Sequence, residues 1–291
     1  MPVYQGYVRK MSHKGISPVS YFWEYAHIDE DKKKKEIQVT ELTSKEPVES
    51  FLGKKITLKT TDEIRCMHCG KKTKKSFNQG YCFVCFSSLA ENDLCILRPE
   101  TCHHHLGTCR DAKWGETNCF KKHTVYFANS SGLKVGITKE NPITNRWVDQ
   151  GARFGIPILE VNSRRDAGIL EQFLSQFLPD KTSWQKMVSG DPGSIDLPKE
   201  AEKFLNHLEK NEFYSPKETK QKLVWKRLPL DEIKEIQYPI LEYPSKIKSM
   251  KLTKETPVSG TLVGIKGQYL LFDIGVINIR SLGGLWVELT A

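Results

Sequence analysis

Cys66 and Cys69, followed by Cys82 and Cys85, make two C-x-x-C pairs separated by a short loop. Two such knuckles bring four thiolates within tetrahedral reach of one ion, most often zinc. Four sulfur ligands close the coordination sphere and leave no position for a substrate. The expected role is therefore structural, with metal binding coupled to folding. A redox dithiol competes with this reading, but two pairs at this spacing favour metal. The loop between the pairs carries Lys71, Lys72, Lys74 and Lys75. These ammonium groups either contact phosphates or offset the charge of the thiolates.

The other four cysteines are Cys95, Cys102, Cys109 and Cys119, interleaved with His103, His104 and His105 and followed by His123. Cys102, Cys109, Cys119 and His123 supply a second set of four zinc ligands, with Cys95, His103 or His105 as replacements. The spacing dictates no unique set. Cys95, between Leu94 and Ile96, has the character of a buried packing thiol. A second zinc would clamp the loop 100–119 onto the strand that begins at Val125.

Those side chains need elements to hold them. Residues 1–61 alternate as strands, in Val19–Tyr25 and Lys55–Lys59, with a solvated turn at Asp31–Glu36 between them. Residues 62–123 carry the thiols and little periodic structure. From 124 to 190 the order reads strand, strand, helix, strand, helix, with a tight polar turn at Asn129–Gly132 making the first two a hairpin. On the last helix Ile169, Leu170, Phe173, Leu174 and Phe177 form the apolar stripe, and Glu171 lies beside it. Beyond it, Asp180–Trp184 reads as a polar turn bordering any cleft there. Residues 191–221 read as a helical linker, with an amphipathic helix near 198–210. Residues 222–291 are again strand-rich, and the two terminal strand sets are candidates for one β module. The fold class expected is α+β.

Tyr126 in the first strand of the hairpin, Lys134 and Gly136 in the second, Arg146 at the head of the next helix and Glu171 on the following one resemble the GIY-YIG endonuclease superfamily. The resemblance covers about residues 121–180 and implies a ββαβα core that cleaves phosphodiester bonds. On this resemblance Tyr126 would help to activate the attacking water, and Gly136 would allow close backbone approach. Arg146 would hold the scissile phosphate through a bidentate contact. Glu171 would bind Mg²⁺, which polarises the phosphoryl oxygen. Where the second motif usually places a tyrosine this chain has Lys134, so one proton-relay group is absent. The whole chain also resembles an uncharacterised family of microbial proteins.

A net charge of +9 and a pI near 9.0 favour a polyanionic partner, nucleic acid before membrane. No apolar run approaches the length of a membrane span, and clustered thiols suit a reducing compartment, so the expected location is the cytoplasm. Lys266, Tyr269 and Arg280 are candidates for a nucleic-acid-binding face on the C-terminal strands, or Gly264 and Gly267 only shape turns there. Trp147 and Trp184 read as core residues before base-stacking ones. The leading function is a zinc-containing, Mg²⁺-dependent nuclease acting on DNA or RNA. The alternatives are a non-catalytic zinc protein that binds nucleic acid and a protein-interaction scaffold.

Overall fold

The computed structural model describes residues 3–31, 33–139, 143–178, 183–190, 192–215, 220–244 and 247–291. Lys32, within the expected lysine turn, and Asp180, Lys181 and Thr182, within the expected polar turn, lie outside the described residues. In chain order the strands and helices are β1 (Tyr4–Lys14), β2 (Ser20–Asp31), β3 (Glu36–Thr43), β4 (Lys55–Arg65), β5 (Lys72–Thr73), α1 (Phe83–Ser88), α2 (Leu94–Leu97), α3 (Ala112–Asn118), β6 (His123–Asn129), β7 (Leu133–Thr138), α4 (Thr144–Asp149), β8 (Phe154–Val161), α5 (Arg164–Ser175), α6 (Trp184–Ser189), α7 (Leu197–Glu209), β9 (Trp225–Arg227), β10 (Lys234–Glu235), β11 (Val258–Lys266), β12 (Tyr269–Phe272), β13 (Gly275–Asn278) and β14 (Leu285–Thr290). Both sheets are antiparallel, and the chain is mixed α/β. No helix among the described residues is long and apolar enough to cross a membrane.

The chain forms two compact units, one of Met1–Ser87, Val188–Gly190 and Gln237–Ala291, the other of Ser88–Met187 and Asp191–Ile236. In the first, the strands run in the order β13-β12-β11-β4-β14-β1-β2-β3, with β5 paired to β4. The N-terminal and C-terminal strand sets thus share one sheet, joined where β14 pairs with both β1 and β4. Alternate residues of these strands, among them Val8, Trp23, Ile56, Leu58, Val287 and Leu289, are buried. That is the period-2 pattern of a sheet with one covered face. The unit boundary falls between the two thiol groups: Cys66 to Cys85 belong to the first unit and Cys95 to Cys119 to the second.

Lys266 does not contribute to an exposed basic face. It is 1% exposed, with its ammonium over the rings of Tyr238 and Tyr243, at 5.6 and 5.4 Å, and donating to the carbonyl of Gly190. The expected basic face fails because two tyrosines cover Lys266, a contact that strand pattern does not announce.

In the second unit the sheet order is β10-β8-β6-β7, with β9 on β8. Val125, Phe127, Ile156 and Ile158 from this sheet pack with Leu170 and Leu174 of α5 and with Phe204, Leu205 and Leu208 of α7. Ser163 caps α5 by accepting from the Asp166 N–H, and Asp196 caps α7 in the same way from Lys199. Phe177 falls outside the expected stripe. The helix ends at Ser175, and the Phe177 ring, 45% exposed, stacks on His207 at 4.9 Å.

Candidate functional site

Cys66 follows directly on β4, and its turn is tied by the Gly70 N–H donating to the Cys66 carbonyl and the Cys66 N–H to the Lys71 carbonyl. Gly70 takes a positive φ of 70° there, which glycine adopts without strain. Cys82 precedes α1 and Cys85 lies on its first turn. All four sulfurs lie within 4.8 Å of one another, with Cys66 and Cys85 buried. These four cysteines are spaced to hold a zinc ion.

Burial would push the Cys66 thiol up. Backbone hydrogen bonds from Cys69, Cys82 and His68 outweigh it and hold the thiol down at about 7. Burial and the neighbouring thiols push Cys85 up, so the cluster without metal carries less than its full charge. Around it Lys71, Lys72, Lys74 and Lys75 are all exposed. Lys72 pairs with Glu63 at 2.7 Å and Lys75 lies over the Phe77 ring, so two of the four are engaged locally.

In the second unit Cys102, Cys109 and Cys119 line one small cavity, and so do Cys95 and His104. His123 is not among its lining residues. As the first residue of β6 it is fully buried, pairs across to Val161, and has Nδ1 at 2.8 Å from the Lys121 carbonyl oxygen. His103 is held by Thr108 and Asp93, and His105 by Arg165. Cys95 is half-buried between the exposed Leu94 and Leu97, and its sulfur interacts with that of Cys102.

The β6–β7 hairpin, α4, β8 and α5 gather a second constellation. Tyr126 is fully buried, opposite Gly136 in the hairpin register. Its hydroxyl donates to Gln150 Oε1 at 3.0 Å, and the hydroxyl oxygen accepts from Arg146. Burial pushes the phenol well above its ordinary value. Arg146 opposes that shift, and Glu171 adds to it. Glu171 is raised to about 7, by burial first, against the pull of Arg146 and Arg164 and with a further push from Glu100. Tyr126, Arg146 and Glu171 are therefore within electrostatic reach of one another. Lys134, half-buried and opposite Ala128, has its pKa lowered by burial alone.

Sequence reasoning passed over three members of this group. Gln150 lies one turn beyond Arg146, on the same helix face, and that spacing was the available signal. Arg164 opens α5, donates to the Ile96 carbonyl at 2.7 Å and has a buried Nε with no partner. Glu100 arrives because the turn Pro99–Thr101 packs on α5 at Gly168, where an added Cβ would lie 2.5 Å from Pro99 Cβ. No local pattern announces either of the last two.

Trp147 and Tyr126 meet edge to face at 5.8 Å over a floor of two glycines. A Cβ on Gly155 would lie 2.4 Å from the Trp147 ring, and one on Gly136 would lie 2.5 Å from Tyr126 Oη. Gly136→Ala is thus expected to displace the phenol and to destabilise the chain by about 1–3 kcal/mol. Urea unfolding would show this as a lower midpoint at unchanged slope. A midpoint equal to that of the parent would mean that the ring moves aside freely.

Comparison with known proteins adds one finding. No curated protein and no solved structure matches the chain. A family profile matches residues 53–287, from the loop before β4 into β14, and so spans both thiol groups and the Tyr126 constellation. The chain belongs to the DUF2797 family, described as a protein of unknown function.

Proposed function

We propose that the chain hydrolyses phosphodiester bonds in DNA or RNA at a GIY-YIG-like site formed by Tyr126, Arg146 and Glu171. The observation that carries this reading is their convergence from three different elements, with Arg146 acting on both of the other two. The element order from β6 to α5, strand, strand, helix, strand, helix, is the order that the GIY-YIG resemblance implies. The net charge of +9 suits a polyanionic substrate.

In this reading the Arg146 guanidinium holds the scissile phosphate through paired N–H donors. Glu171, raised to about 7, suits proton transfer at neutral pH. Its carboxylate takes the proton from a water as the water oxygen bonds to phosphorus. The bond from phosphorus to the leaving oxygen breaks, and that oxygen takes up a proton from solvent. Tyr126, kept protonated, acts as a hydrogen-bonding group that orients Arg146 and not as a base. Lys134 stands in the place of the second-motif tyrosine and adds a cation to the hairpin. Where Mg²⁺ is bound, Glu171 and the nearby Glu100 would hold it in place of the base role, and the ion would supply the polarisation of the phosphoryl oxygen.

The test is cleavage of labelled single-stranded, duplex and branched DNA and RNA by the full chain in Mg²⁺ or Mn²⁺. Glu171→Ala is expected to slow cleavage about 10²–10⁴-fold. Full-rate cleavage by that variant would remove Glu171 from the site. The complete burial of Tyr126 favours a second reading, in which the constellation is a core and the chain binds nucleic acid without cutting it. Salt-sensitive binding with no turnover of any substrate in either metal would establish that alternative.

A further inference from the structure

The cavity between the loop 93–110 and helix α3 has a volume of about 10 Å³, room for one atom-sized occupant. Four sulfurs and one imidazole line it, those of Cys95, Cys102, Cys109, Cys119 and His104. His104 Nε2 is buried there with no hydrogen-bond partner. An unsatisfied buried nitrogen in a native fold calls for an explanation. Phe120 meets the His104 ring edge to face at 4.7 Å and fixes its plane. Gly115 leaves the space that this ring and Cys109 need: a Cβ there would lie 3.1 Å from His104 Cδ2 and 3.5 Å from Cys109 Sγ. From the other side, the Cys95 and Cys102 thiols come close enough to interact with each other.

We propose that this cavity is a metal site, separate from the four-cysteine knuckles, that takes Zn²⁺ on Cys95, Cys102, Cys109 and His104. Three thiolates and one imidazole make a closed tetrahedral set of the structural kind. Cys119 is then a wall of the cavity and His123 takes no part. Beside it, Asp93, Cys95 and His103 form a competing group, whose ligand atoms lie within 4.8 Å of one another. Asp93 is committed elsewhere, however, to the Arg110 guanidinium at 2.8 Å and the Cys95 N–H. His103 has Nδ1 at 2.7 Å from the Thr108 hydroxyl. His104 Nε2 and His123 Nε2 are both buried without a partner, but of the two only His104 lines the cavity.

Such an ion would do work beyond local folding. Cys95 and Cys102 bracket the turn Pro99–Thr101 that packs on α5 at Gly168, and that turn brings Glu100 to Glu171. The ion would clamp this turn, whatever chemistry the Tyr126 constellation carries out.

The experiment is zinc content per chain, by elemental analysis and native mass spectrometry, on full-length protein purified under reducing conditions. The parent is expected to hold two zinc ions. Cys66→Ser with Cys69→Ser is expected to leave one, and so is Cys102→Ser with His104→Ala. Cys119→Ser is expected to leave both. One ion in the parent, or two in Cys102→Ser with His104→Ala, overturns the site. Loss of an ion in Cys119→Ser overturns the ligand set. Because a variant can fail to fold, cobalt-reconstituted parent gives an independent reading. Its sulfur-to-cobalt charge-transfer intensity should match seven thiolate bonds per chain, and a value matching four overturns the proposal.

Discussion

Replacing Cys66 and Cys69 with serine is expected to cost the first unit its zinc and much of its fold around β4 and β14. Zinc held by a structural four-thiolate set carries about 10–16 kcal/mol of coupled folding energy. Whole domains are stable by only about 5–15 kcal/mol, so the loss exceeds what the surrounding sheet can absorb locally. The damage should spread because the knuckles are tied into the centre of the sheet. Arg65 of β4 donates its N–H to the Gly284 carbonyl at 2.8 Å, just before β14. The Ser76 hydroxyl donates to the Gly283 carbonyl at 2.7 Å, and a Cβ on Gly283 would lie 2.4 Å from Gln79 O. At this end β4 pairs with β14 through Ile64 and with β5 through Ile64 and Arg65, so fraying at Arg65 removes pairing on both of its sides. Hydrogen exchange should show lost protection in Lys55–Arg65 and Leu285–Thr290, with a lower melting temperature. Parental protection in both strands would show the sheet to stand without the ion.

The four-cysteine site was legible because C-x-x-C fixes geometry within a few bonds. Its ligands are set by local turns, and Gly70 at positive φ needs no distant partner. The β6–β7 hairpin was legible for the same reason, a polar turn between two alternating segments. The apolar stripe of α5 was legible through its spacing as far as Leu174. Phe177 failed because the helix gives way after Ser175 to i→i−3 bonds, among them Phe177 N–H to the Leu174 carbonyl, which break the 3.6-residue period. The second thiol group shows the limit more sharply. Four histidines stood within reach of it in sequence, and only packing selects among them: β6 turns His123 toward the Lys121 carbonyl, while Phe120 and Gly115 hold His104 at the cavity. The pairing of β14 with β1 and β4 was equally beyond pattern. Alternation says that one face is buried and not which strand lies alongside.

Glu171→Gln is expected to stabilise the chain at alkaline pH while abolishing any cleavage, a combination that separates a functional carboxylate from a structural one. The carboxyl is raised from 4.5 to about 7, chiefly because burial penalises its charged form, with Glu100 adding and Arg146 and Arg164 opposing. Below pH 4.5 both folded and unfolded chains hold the proton, and Glu171 contributes no pH dependence. As pH rises above 4.5 the unfolded chain gives up the proton first, while the folded chain keeps it until about 7. The unfolded state then binds fewer protons, so stability falls with rising pH across that window and levels off above it. The full penalty is about 3 kcal/mol. Glutamine has nearly the same shape and nothing to titrate, so the variant escapes it. Between pH 5.5 and pH 8 its stability relative to the parent should grow by about 2 kcal/mol. Urea unfolding of both proteins in magnesium-free buffer measures this directly, since Mg²⁺ on the parent carboxylate would hide the penalty. A stability difference that does not change with pH would place Glu171 in solvent with an ordinary pKa. Growth of the difference together with full retention of cleavage would leave the buried carboxylate in place and take catalysis away from it. Both effects together are what a site that holds a carboxylate at a cost to stability should produce.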